Sequence, residues 1–209
     1  MSIPKTAIVS VCLNDEMVLF NFLANIQEWL HYDYKYIFVD NGSTDNSINI
    51  VRNKFGNAII MPLNENLGTT GAYNLGIRRA QEIGSDYVLF LALDVLLAPE
   101  CLRTLIAEMD AHRDIGVIGP TLFKSHDQGL IECMGFKIRE DWSFEPNYGA
   151  QREPLALPSE LDADYIDGGT SLFRVSALER VGPLDDRLFM YGEDVDICQR
   201  MKKMGYKVV

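Results

Sequence analysis

The chemistry legible in this 209-residue sequence is carried by carboxylates at Asp40, Asp94, Glu193 and Asp194. Asp40 opens the run Asp40-Asn41-Gly42-Ser43-Thr44-Asp45, directly after the apolar stretch 36–39. A carboxylate after a strand, followed by a tight turn and a helix start, can hydrogen-bond a nucleobase or a ribose. The same residue types also build capping turns, so a structural role fits this segment equally well. Asp94 sits inside the apolar run 91–97. Burying a carboxylate there is costly unless it is paired or binds a metal. At a strand end it can hold Mg²⁺ or Mn²⁺ on a diphosphate; pairing with a local backbone N–H is the alternative. Glu193-Asp194-Val195-Asp196 follows Gly192 and opens a helix. Acidic first turns are favoured by the helix dipole whatever their function. The dipole is expected to keep a carboxylate ionised at neutral pH, which suits a general base. Phe189 and Tyr191, just upstream, can shape a sugar site or belong to the core.

The loop 64–71 (Asn-Glu-Asn-Leu-Gly-Thr-Thr-Gly) precedes a helical pattern. Its glycines permit close backbone approach, and a helix N-terminus favours an anion. It matches neither the dinucleotide-binding nor the P-loop glycine pattern, so a structural loop remains open. His31, His112 and His126 are scattered and receive no role. Cys12, Cys101, Cys133 and Cys198 have no zinc spacing and read as reduced, mostly buried thiols.

The elements that must position these groups alternate. Residues 6–12, 36–39, 58–61, 87–91 and 115–119 read as strands by their apolar, β-rich composition. Between them lie helical patterns: 16–30, capped at Asn14-Asp15; a second from Thr44 or Asp45 to about 55; a third from about 71 to 83; and a fourth with Pro99 in its first turn, to about 112. This order predicts an α/β fold, a mostly parallel sheet covered on both faces. Ligands bind such sheets beyond the carboxyl ends of the strands, where Asp40 and Asp94 fall. The rhythm then changes. Residues 130–139 read as a strand or hairpin, 142–160 as a loop, and 165–175 as two strand-like pieces around Asp167-Gly168-Gly169. Ser176 can cap a short helix to 181, and a helix over 193–204 and a strand from 206 close the chain.

Composition bounds the partners. Lys and Arg number 19 and Asp and Glu 30, a net charge of −11, and no basic face for nucleic acid is present. No apolar run is long enough to span a bilayer. Lys5 and the short run 7–13 lack a cleavage site, so a cytoplasmic protein without signal peptide is expected. Nothing in the sequence sets an oligomeric state.

In this order and spacing the segments resemble the family-2 glycosyltransferases, inverting enzymes of the GT-A fold, and most of all their rhamnosyltransferase-like bacterial members. The landmarks are 39–45, then Asn66-Leu67-Gly68 with Asn74-Leu75-Gly76, then 91–94, then Asp167-Gly168-Gly169-Thr170, and finally 189–196 through Gly205-Tyr206. The resemblance implies one catalytic domain over 1–209, with a nucleotide-sugar half (1–120) and an acceptor and base half (121–209). It implies that Asp40 contacts the nucleobase of a UDP- or dTDP-sugar donor, with Val11 and Leu13 bordering that base. Asn66, Gly68 and Gly71 line the nucleotide pocket. Asp94 binds a divalent cation (Mg or Mn) on the diphosphate. Asp194, of the pair Glu193-Asp194, is the general base, and Gly168, Gly169 and Thr170 lie on the acceptor side. The implied acceptor is a glycan or lipid-linked sugar, which places the protein at the inner face of the cell membrane.

Departures qualify these implications. Ala92 stands where the metal-binding motif usually has Asp or Asn, which weakens the expected metal dependence. Leu13 replaces an aromatic residue beside the base. Family members continue past the position of Val209 with a segment carrying a His, so a truncated or weakly active chain is expected. A domain that binds nucleotide sugar without catalysis is the alternative. A sugar-phosphate nucleotidyltransferase is disfavoured, because Leu13-Asn14-Asp15-Glu16 lacks the glycine-rich basic loop that such enzymes need.

Overall fold

The computed structural model describes residues 5–28, 34–152 and 161–209. Strand β1 (Thr6–Cys12) leads to helix α1 (Glu16–Glu28), and β2 (Tyr34–Asp40) leads to α2 (Ser47–Lys54). Then come β3 (Ile59–Pro62), α3 (Gly68–Glu82), β4 (Tyr87–Leu91), α4 (Cys101–Ala111) and β5 (Ile115–Ile118). Short strands follow: β6 (Leu122–Lys124), β7 (Asp127–Cys133), β8 (Phe136–Ile138) and β9 (Phe144–Pro146). The chain ends with β10 (Thr170–Arg174), α5 (Val175–Val181), α6 (Glu193–Lys203) and β11 (Lys207–Val208).

Seven strands form the central sheet, in the order β11-β5-β10-β4-β1-β2-β3. All neighbours are parallel except β10, which runs antiparallel between β4 and β5. That reversal matters for the site. It sets Thr170, the first residue of β10, opposite Leu91, the last of β4, so the 167–169 segment arrives at the same sheet edge as the carboxyl ends of the parallel strands.

Strand alternation divides the core in two. Ala7, Val9, Ile37, Val39, Val88, Phe90 and Phe173 face α3, α5 and α6. Ile8, Cys12, Tyr36, Phe38, Tyr87, Leu89 and Leu172 face α1, α2 and α4. Each face is apolar, as a sheet covered on both sides requires. No helix among the described residues is long and apolar enough to cross a membrane.

Several local expectations are corrected. Helix α3 begins at Gly68, so half of the expected 64–71 loop is helical. Pro99 precedes α4 rather than lying in its first turn, and Glu100, at φ 62°, forms the bend before the helix. Asn46 occupies the cap position of α2 without a side-chain bond, and Asp45 Oδ1 instead accepts from Ser47 N at 3.0 Å. Residues 142–160 are not all loop: β9 pairs with β8. The 130–139 region contributes to two ladders, β7 with β6 and β8 with β9, broken at Gly135 (φ 70°). Within 165–175 only β10 is a strand, with Tyr165 making one isolated bridge to Phe136. Helix α5 starts at Val175, one residue before the expected cap Ser176. The expected end of α1 at Leu30 lies outside the described residues.

Candidate active site

The loops after β1 and β2 are laced together, and most of the Asp40–Asp45 motif is used in that lacing. Ser43 Oγ accepts from Asn14 N (2.9 Å) and Asn14 Oδ1 accepts from Thr44 N (2.8 Å). Asp45 Oδ2 accepts from Glu16 N (3.1 Å), while Glu16 Oε2 accepts from Asn46 N (2.9 Å). Each bond satisfies an amide at the entry to α1 or α2, where the helix offers no partner. The capping reading holds for Asp45, which also accepts from Ser47 N in the first turn of α2; Ser43 and Thr44 instead bond Asn14 across the β1 loop. Asp40 is different. It is 1% exposed, its Oδ2 accepts from Ser43 N at 3.1 Å, and its Oδ1 is buried with no hydrogen-bond partner among the described residues. A buried acceptor left without a donor is costly, and such groups cluster at functional positions. Val11 and Leu13 flank it at the end of β1, half-buried and exposed respectively.

Asn41 ties this edge to α3. Its Nδ2 donates to Asn66 Oδ1 (2.8 Å) and Gly68 O (3.2 Å), and its Oδ1 accepts from Leu67 N (2.9 Å). Asn66 Oδ1 also accepts from Gly68 N at 2.8 Å. Gly68 has φ +73°, and a Cβ there would lie 2.2 Å from Phe189 O. Gly71 is packed on Leu67, whose Cβ would be 2.9 Å from an added methyl. Phe189 thus lies against the start of α3, and its carbonyl accepts from Thr70 N at 3.5 Å.

Asp94 stands in a turn just past β4 and is exposed. The burial cost expected from its apolar neighbours does not arise, because the turn carries it out of the core. Ala92 N donates to Gly169 O at 2.8 Å, which joins the Asp94 turn to the 167–169 segment. Asn25 of α1 holds the other side, donating to Leu97 O (3.0 Å) and accepting from Leu97 N (2.8 Å). Among the described residues no group of three His, Cys, Asp or Glu could hold a metal ion.

Asp194 sits at the start of α6. Its Oδ1 accepts from Val195 N (2.8 Å) and its Oδ2 from Gly168 N (3.3 Å). Gly168 is closely apposed: a Cβ there would lie 3.4 Å from Asp194 Cβ. Asp167 Oδ1 accepts from Gly169 N at 2.7 Å. Thr170 is buried at the head of β10, its Oγ1 without a partner among the described residues. Burial raises the pKa of Asp194, against the N–H groups of Val195 and Gly168, which lower it. Burial likewise raises that of Glu193, helped by the charges of Asp194 and Asp167, and Glu193 Oε2 is buried without a partner among the described residues. The helix start favours the ionised carboxylate, as the sequence led one to expect, and desolvation opposes it, lifting both groups above the ordinary carboxylate value.

Tyr73 reports how near these groups come. Its ring is buried and stacks on Phe90 at 4.1 Å. Burial, and then the carboxylates of Glu193, Asp167 and Asp94, push its phenol pKa upward. Carboxylates far apart in sequence therefore all act on one buried phenol. Asp167 and Tyr73 were not singled out from sequence as site residues. Asp167 had a signal, its place before two glycines; Tyr73 had none, since an aromatic on an apolar helix face reads as core.

A seven-stranded α/β sheet with one antiparallel strand thus gathers carboxylates beyond the carboxyl ends of its strands. The profile described as "Glycosyl transferase family 2" matches residues 7–182, and the chain belongs to this family. Over 95% of its length it is 27% identical to an N-acetylglucosaminyl-diphospho-decaprenol L-rhamnosyltransferase of Mycobacterium tuberculosis, covering 71% of that protein. Over 59% of its length it is 27% identical to the rhamnosyltransferase WbbL of Escherichia coli K12, covering 48% of it. Among solved structures it is similar to the mannosyltransferase PcManGT of Pyrobaculum calidifontis in complex with GDP-Man and Mn²⁺, with TM-score 0.71 and 17% identity; 99% of this chain covers 54% of that one. It is also similar to S. aureus TarS residues 1–349, a structure also solved with UDP and UDP-GlcNAc, with TM-score 0.68, 18% identity and 58% of that chain covered.

Proposed function

We propose that this protein transfers a sugar, with L-rhamnose as the first candidate, from a dTDP- or UDP-sugar to a hydroxyl of a glycan or lipid-linked acceptor with inversion at the anomeric carbon. The observation that carries the reading is the seat of Asp194. It stands at the start of a helix, between Gly168 and Val195 N–H donors, with Glu193 and Asp167 beside it. A carboxylate of raised pKa in such a place is a suitable proton acceptor. Asp194 takes the proton of the acceptor hydroxyl. The oxygen forms its bond to the anomeric carbon as the bond from that carbon to the nucleoside diphosphate breaks on the opposite side. The bonding electrons leave with the diphosphate.

Asp40 recognises the base in this reading, and its Oδ1, without a partner among the described residues, is the support: a base N–H gives it a donor. Val11 and Leu13 border the base, while Asn66, Gly68 and Gly71 shape the nucleotide pocket from the start of α3. Gly168, Gly169 and Thr170 line the acceptor side beside the base. Asp94 is the residue that would hold a divalent cation. A single exposed carboxylate fits an ion carried mainly by diphosphate and water, as Mg²⁺ commonly is, and does not fit an all-protein cage. Such an ion, when bound, neutralises charge on the leaving diphosphate. Ala92 favours one alternative, a domain that binds nucleotide sugar without turnover.

The test is sugar transfer from a panel of dTDP- and UDP-sugars to prenyl-diphosphate-linked N-acetylglucosamine, with and without Mn²⁺. Asp194→Asn is expected to lower turnover about 10²–10⁴-fold, the usual range for a lost general base. Wild-type turnover in that variant sinks the assignment, and nucleotide binding without any transfer favours the inert domain.

A further inference from the structure

We propose that Asn74 is a positioning residue for Asp194, fixing the segment that precedes the base-bearing helix onto α3. This rests on the reading of Asp194 as the base. Asn74 lies on the buried face of α3 and is 6% exposed. Its Nδ2 donates to Leu184 O (2.9 Å) and to Asp186 Oδ1 (2.6 Å), and its Oδ1 accepts from Leu184 N (2.9 Å). One amide thus satisfies both backbone groups of a residue 110 positions away. An asparagine buried on a helix that packs mostly apolar residues is expensive unless fully bonded. Its bonds go to a segment with no regular structure of its own.

That segment is in turn fastened to α6. Arg200 donates to Val181 O (3.1 Å), Gly182 O (3.4 Å) and Pro183 O (2.9 Å), and to Asp196 Oδ2 (2.8 Å) on its own helix. Farther along, Phe189 O accepts from Thr70 N, and Phe189 packs on Gly68. Residues 181–189 are therefore a bridge, bonded to α6 at one end and to α3 at the other. Helix α3 is itself bonded at its start to Asn41, the neighbour of Asp40. Asn74 makes three of the side-chain bonds that hold the bridge to α3. Loosening it lets α6 and Asp194 shift relative to the end of the sheet where the donor is placed.

The experiment compares wild type, Asn74→Leu, Asn74→Asp and Asn74→Asp/Asp186→Asn in the full chain. In Asn74→Leu, turnover is expected to fall about 10–100-fold with donor KM unchanged, the scale of a displacement near 1 Å at a reacting group. The acid limb of its turnover profile moves to lower pH, because a loosened carboxylate is better hydrated. Amides of 184–192 exchange with deuterium faster. Asn74→Asp sets two carboxylates against each other and gives the same losses; Asp186→Asn in that background restores a donor–acceptor pair and recovers part of the turnover. Unchanged turnover and exchange in Asn74→Leu overturn the proposal, as does a double variant no better than Asn74→Asp. Asp194→Asn is run beside them. If it keeps its turnover, the base assignment has failed, while the exchange rates still report on the Asn74 clamp by themselves.

Discussion

Helix α3 positions much of the site, and Gly76 shows how closely it must lie on the sheet. Gly76 is buried in the middle of α3, and a Cβ built there would lie 2.3 Å from Val9 Cγ1 and 3.2 Å from Val9 Cγ2. Ordinary carbon contacts lie at about 3.5–4.0 Å. Gly76→Ala therefore forces α3 off β1 by about 1 Å or drives Val9 from its rotamer. Overpacking of this kind costs about 1–3 kcal/mol. Helix propensity returns about 1 kcal/mol for Gly→Ala. The net expectation is a loss of about 1 kcal/mol in the Val9 background. In a Val9→Ala background both Cγ atoms are gone, and the same substitution should stabilise by about 1 kcal/mol, its helix propensity no longer opposed. The assay is urea unfolding of the four proteins, read as midpoint shifts at constant slope. Turnover should follow, since α3 carries Asn74 two residues earlier: Gly76→Ala lowers it and Val9→Ala/Gly76→Ala recovers it. The same stability change in both backgrounds, or a stabilised Gly76→Ala with Val9 present, refutes the close approach as the constraint.

Other outcomes follow from the same geometry. Asp40→Ala is expected to weaken dTDP or UDP binding about 10–100-fold, the loss of one hydrogen bond to a charged acceptor, and calorimetry showing unchanged affinity would remove Asp40 from base recognition. Arg174 is buried and donates to Ile115 O, Met109 O, His112 O and Tyr87 Oη, closing the end of α4. Arg174→Met strands two buried carbonyls, Ile115 O and Met109 O, and should cost about 2–6 kcal/mol in denaturant unfolding; a cost under about 1 kcal/mol contradicts that role. Burial raises the pKa of both Asp194 and Glu193, so the folded state holds their protons more tightly than the unfolded state. Their contribution to stability is present below the unfolded carboxylate range and is lost as pH rises through the raised folded values. Turnover should therefore climb across the interval in which stability declines. Asp194→Asn should melt above wild type near neutral pH, by a margin that shrinks on acidification; a margin independent of pH contradicts the raised pKa.

The sequence by itself determined the layered α/β architecture, because alternating apolar runs and helical periodicities can be buried only against one another. It also located Asp40, Asp94, Glu193 and Asp194 at strand ends or helix starts, since those positions follow from local pattern. It marked Asp45 as a capping residue, because its bond to Ser47 N is local, but not the bonds of Ser43, Thr44 and Asp45 to residues 14 and 16, which lie about 30 positions away. It did not show that β10 enters antiparallel, since a strand's direction is set by its neighbours and not by its own residues. Only that reversal brings Gly168 to Asp194 and Ala92 to Gly169. Nor could it separate Tyr73 and Asn74 from ordinary residues of a core-facing helix. The partners of Asn74 lie 110 residues away, and the carboxylates around Tyr73 come from three separate segments. The balance at Asp194 was likewise settled by tertiary structure: a helix start favours the ionised form, and the burial that opposes it exists only once the 167–169 segment and α6 have packed together.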